Sequence, residues 1–332
     1  MVCELREEWL FLLQSYYVFI PFLASCTNEA DAGVREVNAE AVFANDGDGD
    51  LIIHFFHLLP PDRFEKTGES ILIQTPKGQT ILVDAGKPIV GPLLDEYLTE
   101  LNIEKIDYVM PSHPHSDHIG GFLTLFETKE IGKIIDVNLP LDESNVYNDY
   151  KKLIDEKDFT VEYAEEGDVY EIEKDLTIEV LNPPKGTSPE TYAFANLTAG
   201  IVNDISLVFK LTYKENTFLF TGDIYSGVEN SLIKKYGEEL DVDVVVAPHH
   251  GLGTSSSKKF IETTNPQITF IPTNVLFDLT VIENYEAQGS EVYVSKFDGN
   301  VKLVSNGKQI DVISETESER VVDSEDDIDD EE

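Results

Sequence analysis

The chain has 332 residues, enough for one large domain or two small ones, and 41% hydrophobic content with 18 Phe and 14 Tyr is ample for a buried core. Its 64 acidic side chains against 24 basic ones give a net charge of −40, which excludes a broad basic stripe of the kind that binds nucleic acid. No stable nucleic-acid complex is expected, yet cleavage of a phosphodiester stays open, because a bound dication reverses the local sign of the field.

The two cysteines, Cys3 and Cys26, sit near the N-terminus, so neither a disulfide framework nor a four-cysteine zinc site supports the rest of the chain. Residues 9–25 (WLFLLQSYYVFIPFLAS) form an uncharged, mostly apolar run, long enough for a signal-peptide core and short for a membrane span. The run ends in Leu23-Ala24-Ser25-Cys26, which resembles the lipobox of a bacterial lipoprotein. Residues 1–26 are therefore read as a lipoprotein signal peptide, with Cys26 lipidated and the protein exported and anchored to the outer face of the cell membrane. The leading segment carries Glu4, Glu7 and Glu8 against Arg6, unlike the usual positive start, and an uncleaved N-terminal membrane anchor is the alternative.

Residues 27–50 are polar and acidic without a sustained apolar period and read as a linker. Residues 51–59 (LIIHFFHLL) read as a buried strand. His54 and His57, three apart in it, fall on opposite faces and are poor joint ligands. Residues 70–75 and 80–84, around the turn Pro76-Lys77-Gly78-Gln79, read as a hairpin that delivers Asp84-Ala85-Gly86 to a strand end. A helix over 92–101 and a strand over 106–110 lead into the most informative stretch, Ser112-His113-Pro114-His115-Ser116-Asp117-His118-Ile119-Gly120-Gly121.

That stretch places four metal-binding side chains within six residues of a chain with only seven histidines. Imidazole and carboxylate suit zinc and similar first-row ions. In an extended segment His113 and His115 project to one side, while Asp117 and His118 turn toward a second ion. The two glycines allow a tight turn and close packing behind them.

Residues 121–184 supply helices and strands without a cluster of ligand types. An alternating strand is expected over 202–211, and a strand over 217–220 ends at Thr221-Gly222-Asp223. After a helix over 228–236, the apolar strand 242–247 ends in Pro248-His249-His250-Gly251. Adjacent histidines there are seldom core residues, since both rings need buried partners. Ser257 stands where an N-cap is expected for a helix over 258–263, and strands near 268–271, 291–295 and 301–304 complete a second sheet. Residues 314–332 are an acidic tail read as disordered.

The pattern H-x-H-x-D-H followed by Gly-Gly resembles the metallo-β-lactamase superfamily. Together with residues 70–86, 203–211, Thr221-Gly222-Asp223 and 248–257, it resembles the soluble hydrolase domain of ComEC-type competence proteins. The resemblance spans 51–313 and implies an α/β fold, the metallo-β-lactamase-like four-layer αββα sandwich, and a hydrolase holding one or two zinc ions, manganese being the other candidate. By the same resemblance His113 and His115 are ligands of the first metal, Asp117 and His118 of the second, and Asp223 is the bridging carboxylate. His249 and His250 match a histidine pair that supplies a metal ligand or a proton donor, with the two rings' roles open, and Asp84 is a carboxylate that orients a ligand imidazole.

Three departures are visible. Asn203 stands nearest where many members place a third histidine for the first metal. The loop that reads D-V-G-Q-G-D in relatives is here 58–69 (LLPPDRFEKTGE), and no histidine follows His250. The reaction implied is hydrolysis of phosphodiester bonds, in extracellular nucleic acid or cell-wall polymer, by metal-activated water, with Asp117 or Asp223 orienting the water and His249 or His250 serving the leaving group. The rival expectations are hydrolysis of another ester or a lactone, or a degenerate, non-catalytic metal-binding surface protein.

Overall fold

The turn at 75–79 shows how the chain builds its sheets. Gly78 takes φ +82°, Thr75 N donates to Gln79 O at 2.8 Å, and strands β3 (Ile71–Gln74) and β4 (Thr80–Val83) pair antiparallel on either side. Every residue of both strands is buried, although successive side chains point to opposite faces, so this sheet is covered on both sides.

The structure, a computed structural model, describes residues 35–36, 39–44, 49–59, 66–139, 141, 144–188, 198–276, 278–317 and 320. The signal peptide with Cys26, most of the linker, the start of the 60–69 loop, the 189–197 loop and most of the acidic tail lie outside the described residues.

Chain order begins with β1 (Arg35–Glu36) and β2 (Leu51–Phe55) before the hairpin. It continues with β5 (Lys105–Met110), β6 (Glu130–Asp136), β7 (Thr160–Tyr163), β8 (Val169–Glu173), β9 (Leu176–Asn182), β10 (Val208–Tyr213) and β11 (Asn216–Phe220). The remaining strands are β12 (Val244–Val246), β13 (Ile268–Ile271), β14 (Glu291–Val294), β15 (Val301–Ser305), β16 (Ile310–Ser314) and β17 (Thr316–Glu317). One sheet has eight strands in the order β16-β15-β2-β3-β4-β5-β6-β7, the other seven in the order β14-β13-β12-β11-β10-β9-β8. In each, an antiparallel half gives way to a parallel one, from β4 to β7 and from β11 to β14. Parallel neighbours need crossovers, and helices supply them: Gly91–Glu100, Asn145–Lys157, Ser226–Tyr236, Lys258–Thr264 and Thr280–Gln288 among others.

Four layers follow from where the side chains go. Ile53, Ile73, Ile81 and Met110 of the first sheet pack against Ile178, Phe209, Phe218 and Val244 of the second. The opposite face of the first sheet, with Leu72, Leu82 and Val109, packs against Leu94, Phe122 and Tyr150. The outer face of the second, with Leu219, Val245 and Val294, meets Leu232, Phe260 and Ile282 on its own helices. The molecule is thus the αββα sandwich expected. The carboxyl ends of β4, β5, β11 and β12 open along one rim, the usual place for a site in layered α/β folds.

Several expectations are corrected. The strand near 301–304, expected to complete the second sheet, is β15 and pairs antiparallel with β2 in the first. Residues 202–211 are not one strand: Ala199–Asp204 is a helix, and β10 begins at Val208. Val202 and Ile205 sit three apart, a spacing that serves a helical turn as well as a strand, and the Thr198 side chain caps the helix by accepting from Ile201 N. Asn182 then holds the exit, donating its amide to the Asp204 and Ser206 carbonyls at 3.1 and 2.7 Å. Nor is the 27–50 linker without structure, since Ala39–Phe43 is helical with Val42 buried, and Lys302 Nζ donates to Ala44 O at 3.1 Å. Past Ser314 the chain forms β17, which pairs antiparallel with β1, so sheet pairing reaches into the segment read as tail. The β8 and β16 strands and the Thr280–Gln288 helix were not anticipated by the sequence.

Candidate metal centre

The rim gathers the candidate residues from strand ends that are distant in sequence. Asp84 follows β4, the His113–His118 loop follows β5, Asp223 follows β11, and His249 with His250 follows β12.

Asp84 is fully buried with φ 56°, a conformation that Asp and Asn tolerate better than most residues. Its Oδ1 accepts from Ser112 N at 2.6 Å, pinning the start of the loop. Its Oδ2 lies 2.8 Å from His118 Nδ1, so the ring nitrogen donates to the carboxylate and Nε2 is left bare on the opposite side. The two glycines behind the loop have ordinary helical φ values, −63° for Gly120 and −66° for Gly121. Their use is room rather than turning: a Cβ on Gly121 would lie 2.0 Å from Ala85 O.

His113 is anchored by Ser112, whose Oγ lies 2.9 Å from Nδ1, and its Nε2 sits 2.9 Å from His115 Nδ1. The two rings meet edge to face at 79°. His249 and His250 both adopt left-handed backbone, at φ 53° and 54°, a strained pair of the kind that functional sites retain. His250 Nδ1 donates to Pro272 O at 2.8 Å, and because a carbonyl only accepts, Nε2 is bare. His249 Nδ1 is held by Thr254 Oγ1 at 2.6 Å.

All of these rings surround Asp223. Its Oδ2 lies 3.4 Å from His118 Nε2, 3.9 Å from His113 Nε2 and 3.8 Å from His249 Nε2, while Oδ1 lies 3.5 Å from His250 Nε2. Asp117 Oδ2 completes the other flank at 3.7 Å from His250 Nε2 and 3.9 Å from His118 Nε2. Three overlapping groups share His118, namely His113–His118–Asp223, Asp117–His118–His250 and Glu69–Asp84–His118, each compact enough for one ion. Asn203 stands beside the first, its amide nitrogen 3.4 Å from His249 Nε2.

The chemistry of these atoms tests whether a cation fits. His118 Nε2, His250 Nε2, Asp223 Oδ1 and Asn203 Oδ1 are all buried without a hydrogen-bond partner. Buried polar atoms left unpaired are costly, and here they are acceptors facing one another. A divalent ion satisfies such a set. Charge is already polarised toward that role: burial alone would raise the Asp223 carboxyl, but His250, His118 and His113 hold it well below its ordinary range. Burial opposes charge on His118, yet Asp223, Asp84 and Asp117 raise it well above the usual imidazole value, so a cation would bind there by displacing a proton from the ring.

Two side chains enter the site that the sequence reading did not single out. Glu69 is buried with Oε1 3.9 Å from His118 Nδ1, and burial together with Asp84 pushes its carboxyl well up. Lys66 Nζ lies 3.1 Å from Asp117 Oδ2. Burial works against the ammonium, but Asp117, Asp223 and Glu69 raise it above the ordinary lysine value. Both belong to the 58–69 loop already noted as different from relatives, and nothing in the spacing of that loop marks which of its side chains turn inward.

Residues 65–189 match the Metallo-beta-lactamase superfamily. Competence protein ComA of Neisseria gonorrhoeae is 25% identical over 201 residues, 60% of this chain and 25% of that protein. ComE operon protein 3 of Bacillus subtilis (strain 168) is 25% identical over 183 residues, 54% of this chain and 21% of that protein. The chain therefore spans a quarter or less of the length of these curated relatives. Among solved structures, Zn(2+)-bound PqqB from Methylobacterium extorquens is 12% identical, covering 69% of this chain and 85% of that one with a TM-score of 0.44.

Proposed function

We propose that this chain, residues 65–189 of which match the Metallo-beta-lactamase superfamily, is a metal-dependent hydrolase of phosphodiester bonds, in extracellular nucleic acid or cell-wall polymer. The observation that carries the reading is the facing set of bare acceptors, His118 Nε2, His250 Nε2 and Asp223 Oδ1, with Asp117 Oδ2 beside them. His113 and Asp223, with His115 beside them, would hold one ion, and Asp117, His118 and His250 would hold a second. Nitrogen and oxygen ligands without thiolate favour zinc, with manganese as the substitute.

When bound, the metal lowers the pKa of a water and polarises a phosphoryl oxygen. The remaining work falls to the chain. Asp84 fixes the His118 tautomer and Asp117 orients the attacking water, whose proton passes to solvent. As the water oxygen bonds to phosphorus, the ester P–O bond breaks and the leaving oxygen needs a proton. His249 is the candidate donor, being the more open of the two rings, 11% exposed against 2% for His250, and oriented by Thr254.

Weak identity to competence proteins supports a nucleic-acid or polymer diester over a lactam. An exported protein lipidated at Cys26 is part of the proposal, supported by the apolar run and the Leu23-Ala24-Ser25-Cys26 sequence. The test is metal content by mass spectrometry and turnover of a chromogenic phosphodiester, with His115→Ala and Asp223→Ala as controls. Substoichiometric metal and a rate no higher than the variants' would sink the reading, and turnover of a lactone but not the diester would replace it with the neutral-ester alternative.

A further inference from the structure

Lys66 is a cation at the mouth of an acidic site, and the segment that carries it is fastened from several directions. Thr67 N donates to Asn274 Oδ1 at 3.0 Å, and Thr67 O accepts from Lys87 N at 2.9 Å. Gly68, at φ +85°, lies so close to the metal-loop backbone that a Cβ would come within 1.7 Å of Asp117 O. Glu69 O accepts from Gly86 N at 2.9 Å, and Ser70 Oγ donates to Asp84 O at 2.9 Å. The Lys66 backbone is thus held against the Asp117 loop, unlike a lysine on a free surface.

Exposure rises outward along one line. The His118 and His250 side chains are 0% and 2% exposed, Asp117 15% and Lys66 36%. The ammonium, 3.1 Å from Asp117 Oδ2, is thus the most exposed charge beside the Asp117–His118–His250 group. In a chain of net charge −40, an anion approaching this rim meets a repulsive field and needs local positive charge beyond the metal. A lysine offers a point charge with three donors, suited to phosphoryl oxygens whose position varies along a reaction.

We propose that Lys66 positions the substrate, its ammonium passing from Asp117 Oδ2 to a non-bridging phosphoryl oxygen and thereby selecting anionic phosphoryl esters over neutral esters and lactones. The proposal rests on the hydrolase reading above and names its substrate class. It needs no change in backbone, since Asp117 keeps a cationic partner when a dication occupies the group beside it.

The test uses the full-length, zinc-loaded protein with bis(p-nitrophenyl) phosphate and p-nitrophenyl acetate, which share a leaving group, and calorimetry with inorganic phosphate. A charge-assisted hydrogen bond predicts that Lys66→Met raises KM for the diester about 10- to 100-fold. Phosphate affinity should fall by a like factor, while kcat for the diester, acetate turnover and bound zinc stay near wild type. Lys66→Arg should retain most phosphate affinity. Equal losses on both esters, a loss of zinc in Lys66→Met, or unchanged phosphate affinity would each overturn the assignment. If the wild type fails to cleave the diester, the hydrolase reading falls by itself, and the phosphate arm still decides Lys66: unaltered or absent phosphate binding counts against it.

Discussion

His250 presents Nε2 to Asp223 Oδ1 at 3.5 Å and keeps that aim because its other nitrogen is engaged by the Pro272 carbonyl at 2.8 Å. No histidine follows it in the chain. With His249 and His250 both left-handed, two neighbouring rings converge on one carboxylate instead of splaying to opposite sides.

If His250 is a ligand, His250→Ala should remove about one equivalent of bound metal and leave the His113–His115 ion in place. Metal analysis after dialysis checks this. Unchanged stoichiometry would return His250 to the role of a structural residue tied to Pro272.

Asp84→Asn separates orientation from folding. The amide oxygen can still accept from Ser112 N, and Asn is at ease at φ 56°. The amide nitrogen cannot accept from His118 Nδ1, so the ring loses the partner that fixes Nε2 toward the ion. Metal affinity should fall about 10- to 100-fold, as for other orienting carboxylates, with little change in thermal unfolding of the metal-free protein. Competition against a chelator measures the first quantity and calorimetry the second.

Gly121→Ala tests the packing behind the loop. The new Cβ would meet Ala85 O at 2.0 Å, and since that oxygen is backbone and a Cβ has no torsion of its own, neither can swing away. Overpacking of this kind costs about 1–3 kcal/mol, and the shift should pass to Asp84, whose strand end Ala85 continues. A lowered denaturant midpoint accompanied by weaker metal binding is expected, and a wild-type midpoint would show that the loop has slack.

The legible parts of the site were those whose geometry is local. His113, His115, Asp117 and His118 lie within one loop, so their proximity is written in the sequence. Asp223 and His249-His250 were readable because apolar strands end where they begin. Lys66 and Glu69 were not, because a loop without periodicity gives no sign of which side chains turn inward until Gly68 is seen packed on Asp117. The roles of the two adjacent rings depend on left-handed dihedrals and a carbonyl 22 residues away, neither of which a pattern of residue types encodes. The 202–211 error has the same root: Val202 and Ile205 satisfy two periods, and the Thr198 cap and the Asn182 clamp decide between them.

Lipidation at Cys26 has a separate outcome. In cells, Cys26→Ala should move the protein from the membrane fraction to the soluble one, with the metal content of the folded part unaltered. Membrane retention by the variant would favour the uncleaved anchor instead.

The pH dependence of stability should carry the signature of a buried imidazole remote from the proposed ligands. His54, in the centre of β2, is buried, and its Nε2 pairs with Gln74 Oε1 at 3.1 Å. Burial is the main reason its pKa is lowered to about 4, with nearby Lys302 acting the same way and Gln74 opposing. The unfolded chain then binds a proton near pH 6.5 that the folded protein refuses until about pH 4. Stability from this group is thus fully present above 6.5 and is lost as the pH falls toward 4, by about 3 kcal/mol at most. Replacing His54 with Gln removes the titration, so the variant's stability should fall less steeply than wild type's across that window. His57, also lowered to about 4 chiefly by burial, adds a step of the same sign that the variant retains. Denaturant melts at intervals between pH 4 and 7 compare the two slopes, and parallel curves would mean that His54 is protonated as readily in the folded state as in the unfolded one.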